Sequence, residues 1–373
     1  IISGITSLIK FFPELEKENL SNIKQFDERD HMFSRNNLKF YPDIAKIYYT
    51  ENPDKEIIDR QIHEKIELCE EGSKFYDFYI SSISKAAFNI LERSIPMAKG
   101  EKFKEKNKVN TEQITKAIKK IAVYYGAVDV GITKLKDYHF YSYKGRQYEN
   151  WGKKVNKTHK YGVVIIVPMD SSMLKKAPFL PVLLESGRSY VEAAKIAHII
   201  AEYIRSFGYD ARSHTDGNYE VMCVPLAYDA GLGEVGRSGI LIHPVYGPCI
   251  RISAVTTELE LIETKRKNYH IENFCIICKK CADNCPTSSI NKGNKKSNRG
   301  FKHWFIKQET CYSFWKTIGT DCGICIRVCP YSKPDTFIHR LVRFYVSRNP
   351  VNQRIALFFD DLFYGRKIKN TLS

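Results

Sequence analysis

Eight of the eleven cysteines in this 373-residue chain fall between Cys275 and Cys329, and their spacing restricts what that stretch can fold into. The first group reads Cys275-x2-Cys278-x2-Cys281-x3-Cys285-Pro286; the second is Cys311, ten residues, then Cys322-x2-Cys325-x3-Cys329-Pro330. Zinc usually takes four ligands from paired C-x2-C knuckles, and a third Cys at another two-residue spacing departs from that pattern. Disulfides need Cα atoms about 4.4 to 6.8 Å apart with facing Cβ vectors, which three cysteines on one tight loop do not favour. The spacing instead suits three thiolates at three corners of an iron-sulfur cubane, with the fourth Cys sent to a second cluster. On that exchange one [4Fe-4S] cluster takes Cys275, Cys278, Cys281 and Cys329, and the other takes Cys285, Cys311, Cys322 and Cys325. The wide gap after Cys311 departs from a symmetric repeat. Cys69, Cys223 and Cys249 lie outside any metal spacing and read as buried thiols.

Two clusters move electrons, so another part of the chain must receive them. The length suggests two or three domains. With 43% hydrophobic and 27% charged residues, disorder, collagen and a disulfide miniprotein are excluded. No run of about 18 apolar residues is present to span a membrane. The apolar start Ile1-Ile2-Ser3-Gly4-Ile5 suits a chain trimmed within or after a signal sequence. The net charge of +16 arises from Lys spread through Asn- and Ile-rich sequence, the pattern of solvated faces rather than a nucleic-acid surface.

Residues 1–108 are polar, aromatic and broken by prolines, and read as an irregular, mostly helical region with a helix over Ser81–Glu92; Lys99–Lys108 reads as an exposed linker. Over 109–265 the periodicity predicts an α/β layer domain. It places a helix from Ile114 to Tyr125, strands at Val128–Ile132 and Val163–Val167, and a long helix at Arg188–Phe207. Short strands follow at Glu220–Val224, Ile240–His243 and Ile250–Val255. The cluster module occupies 266–335, with Lys295–Arg299 as a loop, and 336–373 forms an aromatic, basic tail. Gly231-Leu-Gly233-Glu-Val-Gly236 formally matches a dinucleotide fingerprint, but Pro225–Ala230 before it reads as a helix rather than the required strand. Its glycines would still admit a bulky ligand to the backbone.

From Gly126 onward the chain resembles the reductive dehalogenases. The resemblance rests on Gly126-Ala-Val-Asp-Val-Gly131-Ile, Tyr141-Ser142, Gly187-Arg-Ser-Tyr190, Ala230-Gly-Leu-Gly-Glu-Val-Gly-Arg-Ser-Gly239, Tyr246-Gly-Pro248 with Arg251-Ile252, both cysteine groups, and Thr310-Cys311-Tyr-Ser-Phe-Trp315. It implies a nitroreductase-like α/β domain binding a base-off corrinoid beside one cluster, and reduction of an organohalide with two electrons and a proton. It also implies a Tyr proton donor, matched by Tyr190, with Tyr141 as fallback. At the start of the predicted long helix, Tyr190 would have its phenolate helped by unpaired N–H groups. Arg251 matches the cationic neighbour and Asn218 a polar pocket residue. Tyr141, Ser189, Gly231, Gly233, Gly236, Arg237, Ser238 and Trp304 match positions around the corrinoid.

The resemblance further implies a ferredoxin, flavodoxin or quinol-linked electron donor. If a twin-arginine signal preceded Ile1, it implies the outer face of the membrane and a small anchor protein; otherwise it implies the cytoplasm. Two other functions fit parts of the sequence: an epoxyqueuosine reductase acting on tRNA, and a non-catalytic electron-transfer protein with iron and no cobalt.

Overall fold

A computed structural model describes residues 23–368. The apolar start at Ile1–Ile5 therefore lies outside the described residues.

Helices α1 (Met32–Asn37), α2 (Pro42–Glu51), α3 (Pro53–His63) and α4 (Phe78–Ser94) make up the N-terminal region. Pro42 and Pro53 both sit in a first helical turn, where the missing N–H costs nothing. Helix α5 (Thr111–Tyr124) is capped by the Asn110 side chain and leads into β1 (Asp129–Lys134) and β2 (Tyr161–Pro168). After the short α6 (Ser171–Leu174) comes α7 (Pro181–Arg205), then β3 (Ala211–His214) and α8 (Cys223–Asp229). Two-residue strands β4 (Glu234–Val235) and β5 (Leu241–Ile242) form a hairpin before β6 (Ile250–Thr257).

The sheet order is β1-β2-β6-β3 and every neighbouring pair is antiparallel. Strands β2 and β3 are therefore parallel to one another, with α7 as the crossover and β6 inserted between them. The side chains of β2 alternate between two cores. Val163, Ile165 and Val167 pack with Ile118, Ile196 and Ile200 from α5 and α7, while Val164 and Ile166 pack with Leu226, Ala230 and Leu232 on the opposite face. Burial on both faces explains why the strand reads as an unbroken apolar run.

The cluster module contains α9 (Ile271–Cys278), α10 (Lys280–Asp283), β7 (Lys296–Asn298), β8 (Phe301–His303), α11 (Gln308–Ile318) and α12 (Ile324–Arg327). The tail folds into α13 (Phe337–Val346) and α14 (Pro350–Tyr364). Lys280 reaches α14 through Asp360 and Asp361, fastening it to the cysteine loop.

Three local expectations change. The long helix begins at Pro181, seven residues before the predicted start, because Pro181 occupies its first turn. Glu220–Val224 is not a strand: Val221 makes one isolated bridge to Phe140, and α8 starts at Cys223. The predicted loop Lys295–Arg299 contains β7, paired with β8 across a turn in which Arg299 and Gly300 have positive φ.

Candidate active site and iron-sulfur centre

Tyr190 and Arg251 come from different elements and meet face to face. Tyr190 lies in the third turn of α7, and Arg251 in β6 places its Cζ 3.8 Å from the centre of the tyrosine ring. Since α7 begins at Pro181, Tyr190 is too deep in the helix to benefit from its N-terminal N–H groups, and that expectation is corrected. Burial pushes the Tyr190 hydroxyl above its ordinary pKa; the Arg251 charge pulls it back, Asp216 and Asp321 add to the rise, and Arg146 opposes it.

Arg251 is fixed by two serines of α7. Its Nη2 donates to Ser186 Oγ at 3.0 Å and its Nε to Ser189 Oγ at 3.2 Å. Ser189, matched to a corrinoid contact, is fully buried and donates in turn to the Ser186 carbonyl, so here it orients Arg251. The Ser186 hydroxyl donates to Asp321 Oδ2, while Asp321 Oδ1 is buried without a partner.

Tyr141, Tyr190, Tyr219 and Cys223 are half-buried and lie within electrostatic reach of one another, Tyr219 sensing Tyr190 and Cys223, and Tyr141 sensing Cys223. Burial raises the pKa of each, Cys223 to about 12. Tyr141 shares the influence of Arg146 and Asp216 with Tyr190. Asn218 is turned toward Arg212, whose Nη2 donates to its Oδ1 at 2.8 Å and whose Nη1 donates to its carbonyl at 3.1 Å. Among the described residues Asn218 makes no hydrogen bond to Tyr190 or Arg251.

The glycine loop serves the protein's own backbone. A Cβ at Gly233 would collide with the Ile242 carbonyl, and one at Gly236 would meet Ile242 Cδ1 at 2.5 Å. Gly231 has φ +75° and lies against Lys265. Buried Arg237 donates from Nε to the Cys275 carbonyl at 3.1 Å and from Nη1 to Asn291 and Gly293 at 2.8 and 2.9 Å. It also stacks 4.6 Å from the Trp304 ring, whose Nε1 donates to Gly293. Arg237 and Trp304 thus clamp the first cysteine loop instead of joining Tyr190. Ser238, in the same loop, is buried as well.

The thiols fall into two sets. Cys329 is within electrostatic reach of Cys275, Cys278 and Cys281, and Cys325 is within reach of Cys322, Cys311 and Cys285. Cys281 also senses Cys325, which links the sets. Burial is the main force raising the pKa of Cys275, Cys278, Cys281, Cys311, Cys322, Cys325 and Cys329, so their thiolate form calls for a cationic partner such as iron. Cys69 and Cys249 are buried thiols outside both sets.

Asp321, Ser186, Asp216, Tyr219 and Arg146 were not picked out from the sequence. Only Asp321, immediately before Cys322, carried any signal of its place.

Fold and thiol sets together define a two-cluster iron-sulfur protein whose mixed layer encloses a tyrosine and an arginine. Residues 274–333 match the 4Fe-4S dicluster domain family, so the module is one for two [4Fe-4S] clusters. The resemblance to reductive dehalogenases is shown by the relatives the chain matches. It is 34% identical over 225 residues to a tetrachloroethene reductive dehalogenase of Desulfitobacterium hafniense, covering 57% of this chain and 40% of that protein. It is 29% identical over 213 residues to the Sulfurospirillum multivorans enzyme of the same name, covering 55% and 42%. The chain thus spans about two fifths of the length of these relatives. The solved structure of the catabolic reductive dehalogenase NpRdhA shares the fold, with a TM-score of 0.77 at 24% identity over 97% of this chain and 49% of that one.

Proposed function

We propose that this chain carries out corrinoid-dependent reductive dehalogenation, R-X + 2 e⁻ + H⁺ → R-H + X⁻, with electrons delivered through two [4Fe-4S] clusters. The single observation behind this reading is the Tyr190–Arg251 pair, tied through Ser186 to Asp321, the residue before Cys322. Proton donor and electron carrier are therefore neighbours. The relatives named above are reductive dehalogenases, and one solved structure of this fold is titled for B12-dependent dehalogenation.

The residues suit a corrinoid. Tyr141, Tyr190 and Tyr219 make an aromatic group, and Asp321 Oδ1 and Thr215 Oγ1 are buried without hydrogen-bond partners, a donor and acceptor set that fits a flat group rimmed by amides. These residues would hold it, within the nitroreductase-like unit that we assign to the sheet with α5 and α7. When bound, a corrinoid supplies the two-electron chemistry at the carbon-halogen bond that side chains lack.

The chain's own contribution is the proton. Tyr190 Oη holds it, protected from ionisation by burial, and gives it to the carbon as negative charge develops there. Arg251 stabilises the phenolate left behind. Thiolates of Cys275, Cys278, Cys281 and Cys329 would hold the first cluster, and those of Cys285, Cys311, Cys322 and Cys325 would hold the second, in which Cys322 directly follows Asp321.

Anaerobic purification with a corrinoid supplied, followed by cobalt, iron and acid-labile sulfide analysis, tests the reading. About eight iron and one cobalt per chain, with halide release from an organohalide under a strong reductant, are expected. The same iron without cobalt would overturn it in favour of an electron-transfer protein.

A further inference from the structure

Arg251 stands over Tyr190 only as firmly as its own partners hold it. One of those partners, Ser186, has a hydroxyl committed on both sides, accepting from Arg251 Nη2 at 3.0 Å and donating to Asp321 Oδ2. Ser186 is 2% exposed, so water does not replace either bond easily. Asp321 is placed by the cluster loop rather than by the sheet, since Thr320 before it donates to the Pro178 carbonyl at 2.6 Å and Cys322 follows it.

We propose that Ser186 and Asp321 are positioning residues, a two-part strut that holds the Arg251 guanidinium on the face of Tyr190 and fixes it relative to the Cys322 loop. The inference rests on the dehalogenase reading for its kinetic consequence, but the strut itself is defined by contacts among this chain's residues. Removing the Ser186 hydroxyl leaves Arg251, among the described residues, with one side-chain hydrogen bond, to Ser189, beside the longer-range pull of Asp321, and the guanidinium moves off the ring. Tyr190 then faces Asp216, Asp321, Arg146 and Tyr219 without its close cation, and its hydroxyl becomes a weaker acid.

The test uses the cluster-loaded protein with a single 3-fluorotyrosine at position 190, followed by ¹⁹F NMR against pH, beside steady-state kinetics of the unlabelled enzyme. In Ser186→Ala the resonance is expected to titrate about one pH unit higher, the lower end of the effect of a nearby opposite charge. The kcat is expected to fall about tenfold with KM little changed, and Ser186→Thr, which keeps the hydroxyl, to restore both. Asp321→Asn should shift the resonance in the same direction with a smaller amplitude. Should Asp321→Asn lose iron, Ser186→Ala decides, because among the described residues Ser186 hydrogen-bonds Asp321, Arg251 and Ser189 and no cysteine of either set. A titration unchanged in Ser186→Ala overturns the strut even where kcat falls. Absence of turnover in the unsubstituted protein would count against the dehalogenase reading, while the NMR shift still judges the strut.

Discussion

Arg251 approaches the ring of Tyr190 to 3.8 Å, closer than an ordinary ring stack, and does so from the middle of a helix and the start of a strand that are 61 residues apart in sequence. Tyr190→Phe is expected to lower kcat at least a hundredfold, the usual scale for a lost general acid, with iron content and fold unchanged. Metal analysis and circular dichroism beside the assay check this. Normal turnover in the variant would transfer the role to Tyr141.

The same pair sets the pH response. Burial raises the Tyr190 pKa above its ordinary value of about 10, so the hydroxyl stays protonated across neutral and mildly alkaline pH. The rate is therefore expected to hold through pH 9 and to fall only above the ordinary tyrosine range. A rate falling as pH rises through 7 would assign the proton to a different group.

Cysteine replacement should divide by set. Cys325→Ser is expected to remove the cluster of the Cys285, Cys311, Cys322 and Cys325 set and leave about four of eight iron atoms, abolishing turnover, whereas Cys69→Ser should leave the iron unchanged. Iron analysis with EPR of the reduced protein distinguishes the two outcomes.

Stability should report on Asp229. Burial would raise its pKa, but hydrogen bonds from His139, Lys136 and Tyr138 outweigh that and hold it well below the usual carboxylate range. A depressed folded-state pKa stabilises the fold above the unfolded value of about 3.9 and loses that contribution as pH falls through the folded one. Asp229→Asn is expected to cost about 3 kcal/mol at pH 7, with the gap to the parent closing below pH 4. A gap that persists there would show that packing, not charge, supplies the difference.

The two cysteine groups were legible because cluster chemistry fixes ligand spacing along the chain, and β2 was legible because burial on both faces leaves an unbroken apolar run. The start of α7 reads as Arg188 because the apolar periodicity is plain only from Val191 onward, whereas Pro181 opens the helix seven residues earlier. The glycine run was only partly legible: glycine marks close approach but does not say to what, and at Gly233 and Gly236 one such neighbour is the chain's own strand at Ile242. Asp321 and Ser186 could not be paired from sequence because the contact joins residues 135 apart.

Arg237 gives the glycine loop a consequence for assembly. Its guanidinium binds carbonyls at Cys275, Asn291 and Gly293 while its backbone belongs to the turn that continues the β4–β5 hairpin. Disorder in the cysteine loop would strand a buried guanidinium next to the sheet layer. Cluster insertion is thereby coupled to the seating of the β4–β5 turn, and iron starvation is expected to loosen that turn together with the cysteine loop.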